Sequence, residues 1–221
     1  VYLDAVFFSR LDPLDFAQEG HRIELATKDP DAPLVYKGVV FNEMKGAMSS
    51  VSSVLWDRLC FELFPTSTYH HNSGGDPEAI PDLSYDQLMA FYKGHYHPSN
   101  AILLTFGNLP VSQHHDVFER EALGRFEKSS EQIEVGLEVP FSEPRRAAHH
   151  YALEDTDTSD KTHLIMGWKL GESSDLDTLL EAQLLSSVLM ENSASPLMQW
   201  LETNDLGIAP SPLCGLEDSM R

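Results

Sequence analysis

From Gly38 to Phe64 apolar residues return at three- and four-residue steps: Val40, Met44, Ala47 or Met48, Val51, Leu55 and Leu59. That period marks one face of an α-helix, and Pro65 stops it. A one-sided helix of this length must bury its stripe against another layer, so a lone bundle of loops is excluded. Shorter patterns surround it. VYLDAVFFSRL at 1–11 predicts a helix that DPLD breaks, and DFAQEGHRIEL at 15–25 predicts a second. KDPDAPLVYK, with Pro30 and Pro33, predicts a loop, as does the turn-rich TSTYHHNSGGDPEAIPDLS.

Further on, Ser84 caps a predicted helix, SYDQLMAFYKGHY, which ends before Pro98. AILLTFGNLP is an apolar run of strand type, and VSQHHDVFEREALGRFE predicts the next helix. SSEQIEVGLEVPFSEPRR has no helical period and two prolines, and reads as a linker between domains. HHYALED and THLIMGWKL are predicted strands. DLDTLLEAQLLSSVLMEN and SPLMQWLETND are predicted helices, capped by Asp175 and Ser195. Helices and strands mix without strict β-α-β alternation, which points to an α+β fold rather than a doubly wound one.

Composition narrows the partners. Among 221 residues, 35 acidic side chains face 15 basic ones, a formal net charge of -20. Such a surface repels phosphate backbones, so nucleic acid is not expected as a partner. No run approaches the ~18 apolar residues of a membrane span. Cys60 and Cys214 are far apart and form no C-x-x-C, and both are expected to be buried free thiols. The chain starts mid-pattern with VYLDAVFF and stops at LEDSMR, and both ends are expected to be cuts through a larger protein. Any targeting segment would then lie upstream, so these residues assign no compartment.

The candidate chemistries thin out on inspection. Of ten histidines, six fall in adjacent pairs at 70–71, 114–115 and 149–150. Adjacent positions share no helix face and point to opposite faces of a strand, so the pairs read as surface rather than as metal ligands. HRIEL at 21–25 matches the first four residues of H-x-x-E-H, but Leu25 stands where the second imidazole is needed. No G-x-S-x-G occurs. Ser73-Gly74-Gly75-Asp76 lacks the spacing and the lysine of a phosphate loop and reads as a tight turn before Pro77. Glu43, in VVFNEMKG, follows an apolar run at the head of the long helical pattern. Taken alone it would be an ordinary hydrated helix glutamate.

Four stretches change that reading. VYLDAVFF, FAQEGHRIE from Phe16, YKGVVFNEMKG and TYHHNSGGDPEAIPDLSYDQLMAFYKGHYHPSNAILLTFGN follow one another in order. Together they resemble the presequence-protease-like branch of the pitrilysin/insulinase metallopeptidases. NEMKG and SGGDP are specific to that branch, whereas F-Y-x-x-x-Y-x-P-x-N at 91–100 is a broader signature. The resemblance implies zinc peptidase domains of the mitochondrial processing peptidase-like α/β-roll type, antiparallel sheets covered by helices, four of them closing as a clamshell on a peptide. In that family an upstream H-x-x-E-H supplies two zinc ligands and the general base, and a downstream glutamate is the third ligand. Glu43 matches that glutamate and is expected to face inward, toward zinc, with Asn42 and Lys45 able to orient it from behind. Ser73, Gly74 and Gly75 would lie near the substrate.

The departure from the family pattern is equally informative. No H-x-x-E-H is present, so no catalytic residue is assigned within the chain. Residues 1–135 would be the later part of the first, metal-carrying domain, and 136–221 the start of the second, which holds no metal. Alone, the chain is expected to be inactive and to bind zinc weakly, since structural sites gain about 10–16 kcal/mol from four ligands together. Its expected partners are oligopeptide substrates, Arg-rich presequences among them, and the remainder of the same polypeptide. The alternative is a non-catalytic family member that serves as a structural or peptide-holding subunit.

Overall fold

The computed structural model describes residues 1–131, 133–153, 157–208, 210–211 and 213–220. Its elements are α1 (Tyr2–Phe7), the single turn α2 (Pro13–Asp15), β1 (Arg22–Leu25), β2 (Leu34–Lys37), α3 (Val39–Ala47), α4 (Val51–Leu63), α5 (Tyr85–His95), α6 (Val111–Glu121), α7 (Leu176–Met190) and α8 (Pro196–Thr203). The chain is a mixed α/β one: helices predominate, and β1 and β2 form a small antiparallel sheet. Two compact units emerge, one from residues 1–45 and 74–135, the other from 46–73 and 136–221.

The first unit is organised around rings. Phe7 is buried, with its ring 6.0 Å from that of Phe126 in an edge contact. Phe8 lies 5.4 Å from the same ring, and the Arg125 guanidinium sits 3.7 Å above Phe8. Ala122, at the end of α6, is fully buried, and Ile80 is buried beneath the turn at Gly75. The start of α5 is fixed locally. Ser84 Oγ accepts from the Gln87 amide while Gln87 Oε1 accepts from the Ser84 amide, a reciprocal capping box. The β1–β2 register pairs Arg22 with Lys37 and Leu25 with Leu34. Glu24 lies 2.7 Å from both Lys37 and Arg22, and these two cations hold its carboxyl below the usual range. Gly38 follows β2 because only a residue without Cβ fits there: a Cβ would stand 2.0 Å from the Gly20 carbonyl oxygen.

In the second unit α4 supplies buried Cys60, and Phe64 closes its end. Gly167 crosses close to α4, with Leu59 Cδ1 only 2.8 Å from where its Cβ would be. α7 begins at Asp175, whose carboxylate accepts from the Thr178 amide and hydroxyl. α8 begins with Pro196 after Ser195, which is buried and bonds through Oγ to the Asn192 amide rather than capping its own helix.

Several sequence expectations are corrected. The predicted 38–64 helix is two helices, divided at Met48–Ser50, where Ser49 Oγ donates to the Gly46 carbonyl at 2.6 Å. Glycine lowers helix propensity and serine offers the backbone a competing partner, so the pair ends α3. The predicted helix over 15–25 is a π-turn at Phe16–Gly20 followed by β1, and part of the predicted loop 28–37 is β2. The predicted strands at 101–110 and 162–170 carry no regular secondary structure and join no sheet among the described residues. A strand exists only with a partner for its N–H and C=O groups, which apolar alternation cannot supply. The same holds for 149–153, while Glu154 and Asp155 of that predicted strand lie outside the described residues. Cys214 is exposed, not buried.

Candidate functional site

Glu43 stands in the middle of α3, one turn after Gly38. Phe41 and Met44 are the half-buried positions of that helix, and the Phe41 ring lies 6.1 Å from Tyr36 on β2, which holds α3 against the hairpin. Glu43 projects elsewhere and is exposed, as are Asn42 and Lys45. Residues two apart on a helix do not face each other, so Lys45 is not Glu43's natural ion-pair partner. Among the described residues no hydrogen bond or ion pair joins Glu43 to Asn42 or Lys45. Contrary to the expectation that it faces inward, the carboxylate is presented outward in this stretch, because Phe41 and Met44 take the packed face of α3.

The described residues do not by themselves make up a zinc centre. One carboxylate is a third of the three-ligand set that a catalytic zinc needs. Among the described residues no group of three His, Cys, Asp or Glu is placed to hold a metal ion. The adjacent histidines behave as ordinary surface and packing groups. The His70 ring lies 4.1 Å from Phe61 and its Nδ1 is 3.1 Å from the Phe61 carbonyl, while His149 pairs with Glu62 at 2.9 Å. HRIEL, already short of one imidazole, is strand β1 in the structure, so His21 and Glu24 have no helix to share.

The SGGDP stretch is a turn whose glycine has a geometric purpose. Gly75 adopts φ +94°, where side chains are strained, and a Cβ there would lie 3.3 Å from the Ile80 side chain. Asp76 then braces the turn on its far side: its carboxylate accepts from the Glu78 amide and its carbonyl accepts from the Ala79 and Ile80 amides. Ser73 is exposed and belongs to the other compact unit.

The broad signature at 91–100 proves to be structural in this chain. Tyr92 bonds to the end of α1 through its hydroxyl, and its ring lies 5.0 Å from Tyr96. His97 Nδ1 accepts from the Ser99 amide, and Asn100 Nδ2 donates to the His95 carbonyl. Each of these residues thus closes a helix end. Sequence reasoning missed the pairing of Glu62 with His149 and the hydrogen-bonded seat of Glu138 on Thr66 and Ser67, because neither pair is close in sequence.

Cys60 is no nucleophile. Burial first, then the nearby Asp57 and Glu217 charges, push its thiol up to about 11. Among the described residues no helix is long and apolar enough to cross a membrane.

Comparison with known proteins places the chain. Residues 82–212 match the family model described as "Peptidase M16 inactive domain". A zebrafish (Danio rerio) protein called "Presequence protease, mitochondrial" is 41% identical over 225 residues, covering 100% of this chain and 22% of the relative. The mouse (Mus musculus) protein of the same name is 39% identical over 97% of the chain and 21% of its own length. "Protein HypA" of Clostridium perfringens is 32% identical over 96% of the chain and 22% of its length. The chain thus spans about a fifth of the length of these curated relatives. A family model matching most of the chain and full-chain identity to these relatives lead to one conclusion: the chain belongs to the M16 (pitrilysin/insulinase) peptidase family, in its presequence-protease-like branch.

Proposed function

We propose that these 221 residues are part of a zinc-dependent metalloendopeptidase that degrades short unstructured peptides such as targeting presequences. Residues 1–135 are the later part of its metal-carrying domain and 136–221 the beginning of the second, metal-free one, each an α/β-roll completed by polypeptide beyond this stretch. Glu43 is the metal's downstream carboxylate ligand, aided by Asn42 and Lys45, and the Ser73–Gly75 turn lies beside the substrate. The observation that carries this reading is the NEMKG run on α3 within a chain 41% identical to a protein called presequence protease. The net charge of -20 supports the substrate class, because Arg-rich presequences are drawn to an anionic surface. Without the other ligands the stretch alone is inactive.

The test is made on the full-length parent. Glu43→Gln should abolish stoichiometric zinc and hydrolysis of an Arg-rich presequence peptide, while leaving the far-UV circular dichroism unchanged. Full zinc content with full activity in that variant would overturn the reading. A second reading, a non-catalytic subunit that holds peptides, is favoured by one observation: the matched model is described as an inactive domain. The two separate on whether H-x-x-E-H is encoded ahead of Val1.

A further inference from the structure

Residues 138–149 contain no helix or strand, yet they are fixed at several points to the end of α4 and the turn after it. Glu138 carries the most bonds. One carboxylate oxygen accepts from the Thr66 amide at 2.7 Å and the Ser67 amide at 3.1 Å. The other accepts from the Thr66 hydroxyl at 2.8 Å and from the Val139 amide at 3.0 Å. Next along the segment, the Val139 carbonyl accepts from Lys169 Nζ at 2.9 Å. The Phe141 ring then lies under two cations, Arg145 at 4.2 Å and Lys169 at 4.6 Å. Arg145 also donates to the Glu62 carbonyl at 3.4 Å, and His149 Nε2 pairs with the Glu62 carboxylate at 2.9 Å.

The character of these contacts matters more than their number. Glu138 and Phe141 are the anchoring positions, while the arginines and His149 are exposed. No apolar side chain of 138–149 is buried in the core. The segment is held by hydrogen bonds, the His149–Glu62 contact among them, and by cations over one ring, contacts that are each weak when water can reach them. Glu138 is the exception, because a carboxylate with several donors makes charge-assisted bonds about twice as strong as neutral ones. Remove it and the remaining contacts, scattered over a segment without secondary structure, must bear the whole entropy of ordering it.

We propose that residues 138–149 form a detachable strap across the C-terminal end of α4, with Glu138 as its clasp. When Glu138 leaves Thr66 and Ser67 the strap lifts as a unit, uncovering the Phe61 edge against which His149 now rests. The strap rests on geometry alone and stands whether or not the peptidase reading holds.

Arg145 and Arg146 lie in the strap and give trypsin a built-in reporter of its release. In the full 221-residue chain, Glu138→Gln should speed cleavage at these arginines about tenfold relative to cleavage after the exposed Lys128, the factor expected for losing a charge-assisted clasp. The Thr66 and Ser67 amides should exchange with solvent faster by a similar factor. Glu143→Gln, an exposed strap residue, should change neither. Equal cleavage and equal amide protection in Glu138→Gln and the unaltered chain would overturn the proposal. If Glu138→Gln accelerates cleavage at Lys128 as much as in the strap, the chain has loosened globally and Thr66→Val decides, since it deletes one bond to the clasp and keeps the shape. A rise confined to Arg145 and Arg146 then supports the strap, and its absence sinks it.

Discussion

Tyr92 fastens the end of α1 to α5: its hydroxyl accepts from the Ser9 amide at 2.9 Å and donates to the Val6 carbonyl at 2.8 Å. Both backbone groups lie where α1 has run out of internal partners, so one phenol satisfies a donor and an acceptor that the helix end leaves over. Tyr92→Phe keeps the ring against Tyr96 and removes only the oxygen. The variant should lose about 1–2 kcal/mol of stability, with its urea midpoint lowered at an unchanged slope. Tyr96→Phe, whose hydroxyl closes no helix end, is the comparison and should stay within about 0.5 kcal/mol.

Gly38 and Gly46 bracket α3 and should respond oppositely to alanine. At Gly38 a methyl group would stand 2.0 Å from the Gly20 carbonyl oxygen, against backbone that cannot swing aside. Gly38→Ala should therefore cost about 3 kcal/mol or more and separate the β1–β2 hairpin from α3. Gly46 lies within α3 with nothing within 4 Å of a Cβ, so Gly46→Ala should be neutral or should stabilise by up to about 1 kcal/mol. Thermal melts of the two variants beside the unaltered chain check both signs. A tolerated Gly38→Ala would mean that the approach of Gly20 to Gly38 is not maintained in solution.

How far the sequence could be read depends on the range of each interaction. The start of α5 was legible because Ser84 and Gln87 are three residues apart, and so was that of α7, where Asp175 meets Thr178. The division between α3 and α4 was missed because the apolar period continues through it, while Gly46 and Ser49 act on the backbone alone. The segments at 101–110 and 162–170 have strand composition, but pairing is a property of two segments and no local pattern states it. Glu43 shows why a site can be less legible than a fold. Its chemistry was readable only through resemblance, and its outward direction was set by Phe41 and Met44 taking the packed face of α3. The His149–Glu62 pair spans 87 residues, and no spacing rule reaches that far.

The two thiols should differ in reactivity by orders of magnitude. Cys60 is buried and its thiol is held up to about 11, so little thiolate exists at neutral or mildly alkaline pH. Cys214 is exposed. A thiol-disulfide dye added to the native chain should modify one cysteine quickly, and peptide mapping should find it at Cys214. Cys60 should react only when denaturant opens α4. Rapid modification of both in native conditions would show that α4 does not remain packed.

The cap of α7 makes a pH-dependent contribution whose sign can be worked out. The Thr178 hydroxyl first, then the Thr178 amide, hold the Asp175 carboxyl below its ordinary value of 3.8. A carboxyl with a depressed folded-state pKa binds a proton less readily in the native chain than in the unfolded one. Its stabilising effect is therefore complete above about pH 5 and is lost as the pH falls through the lowered folded value. Asn at the same position caps nearly as well but does not titrate. Asp175→Asn should thus match the unaltered chain or fall slightly below it at neutral pH, and lose less stability on acidification. Urea midpoints followed by far-UV circular dichroism from about pH 6 to about pH 3 would show the unaltered chain falling more steeply than the variant. Parallel curves across that range would mean that Asp175 is not bonded to Thr178 in solution, and that α7 starts without its cap.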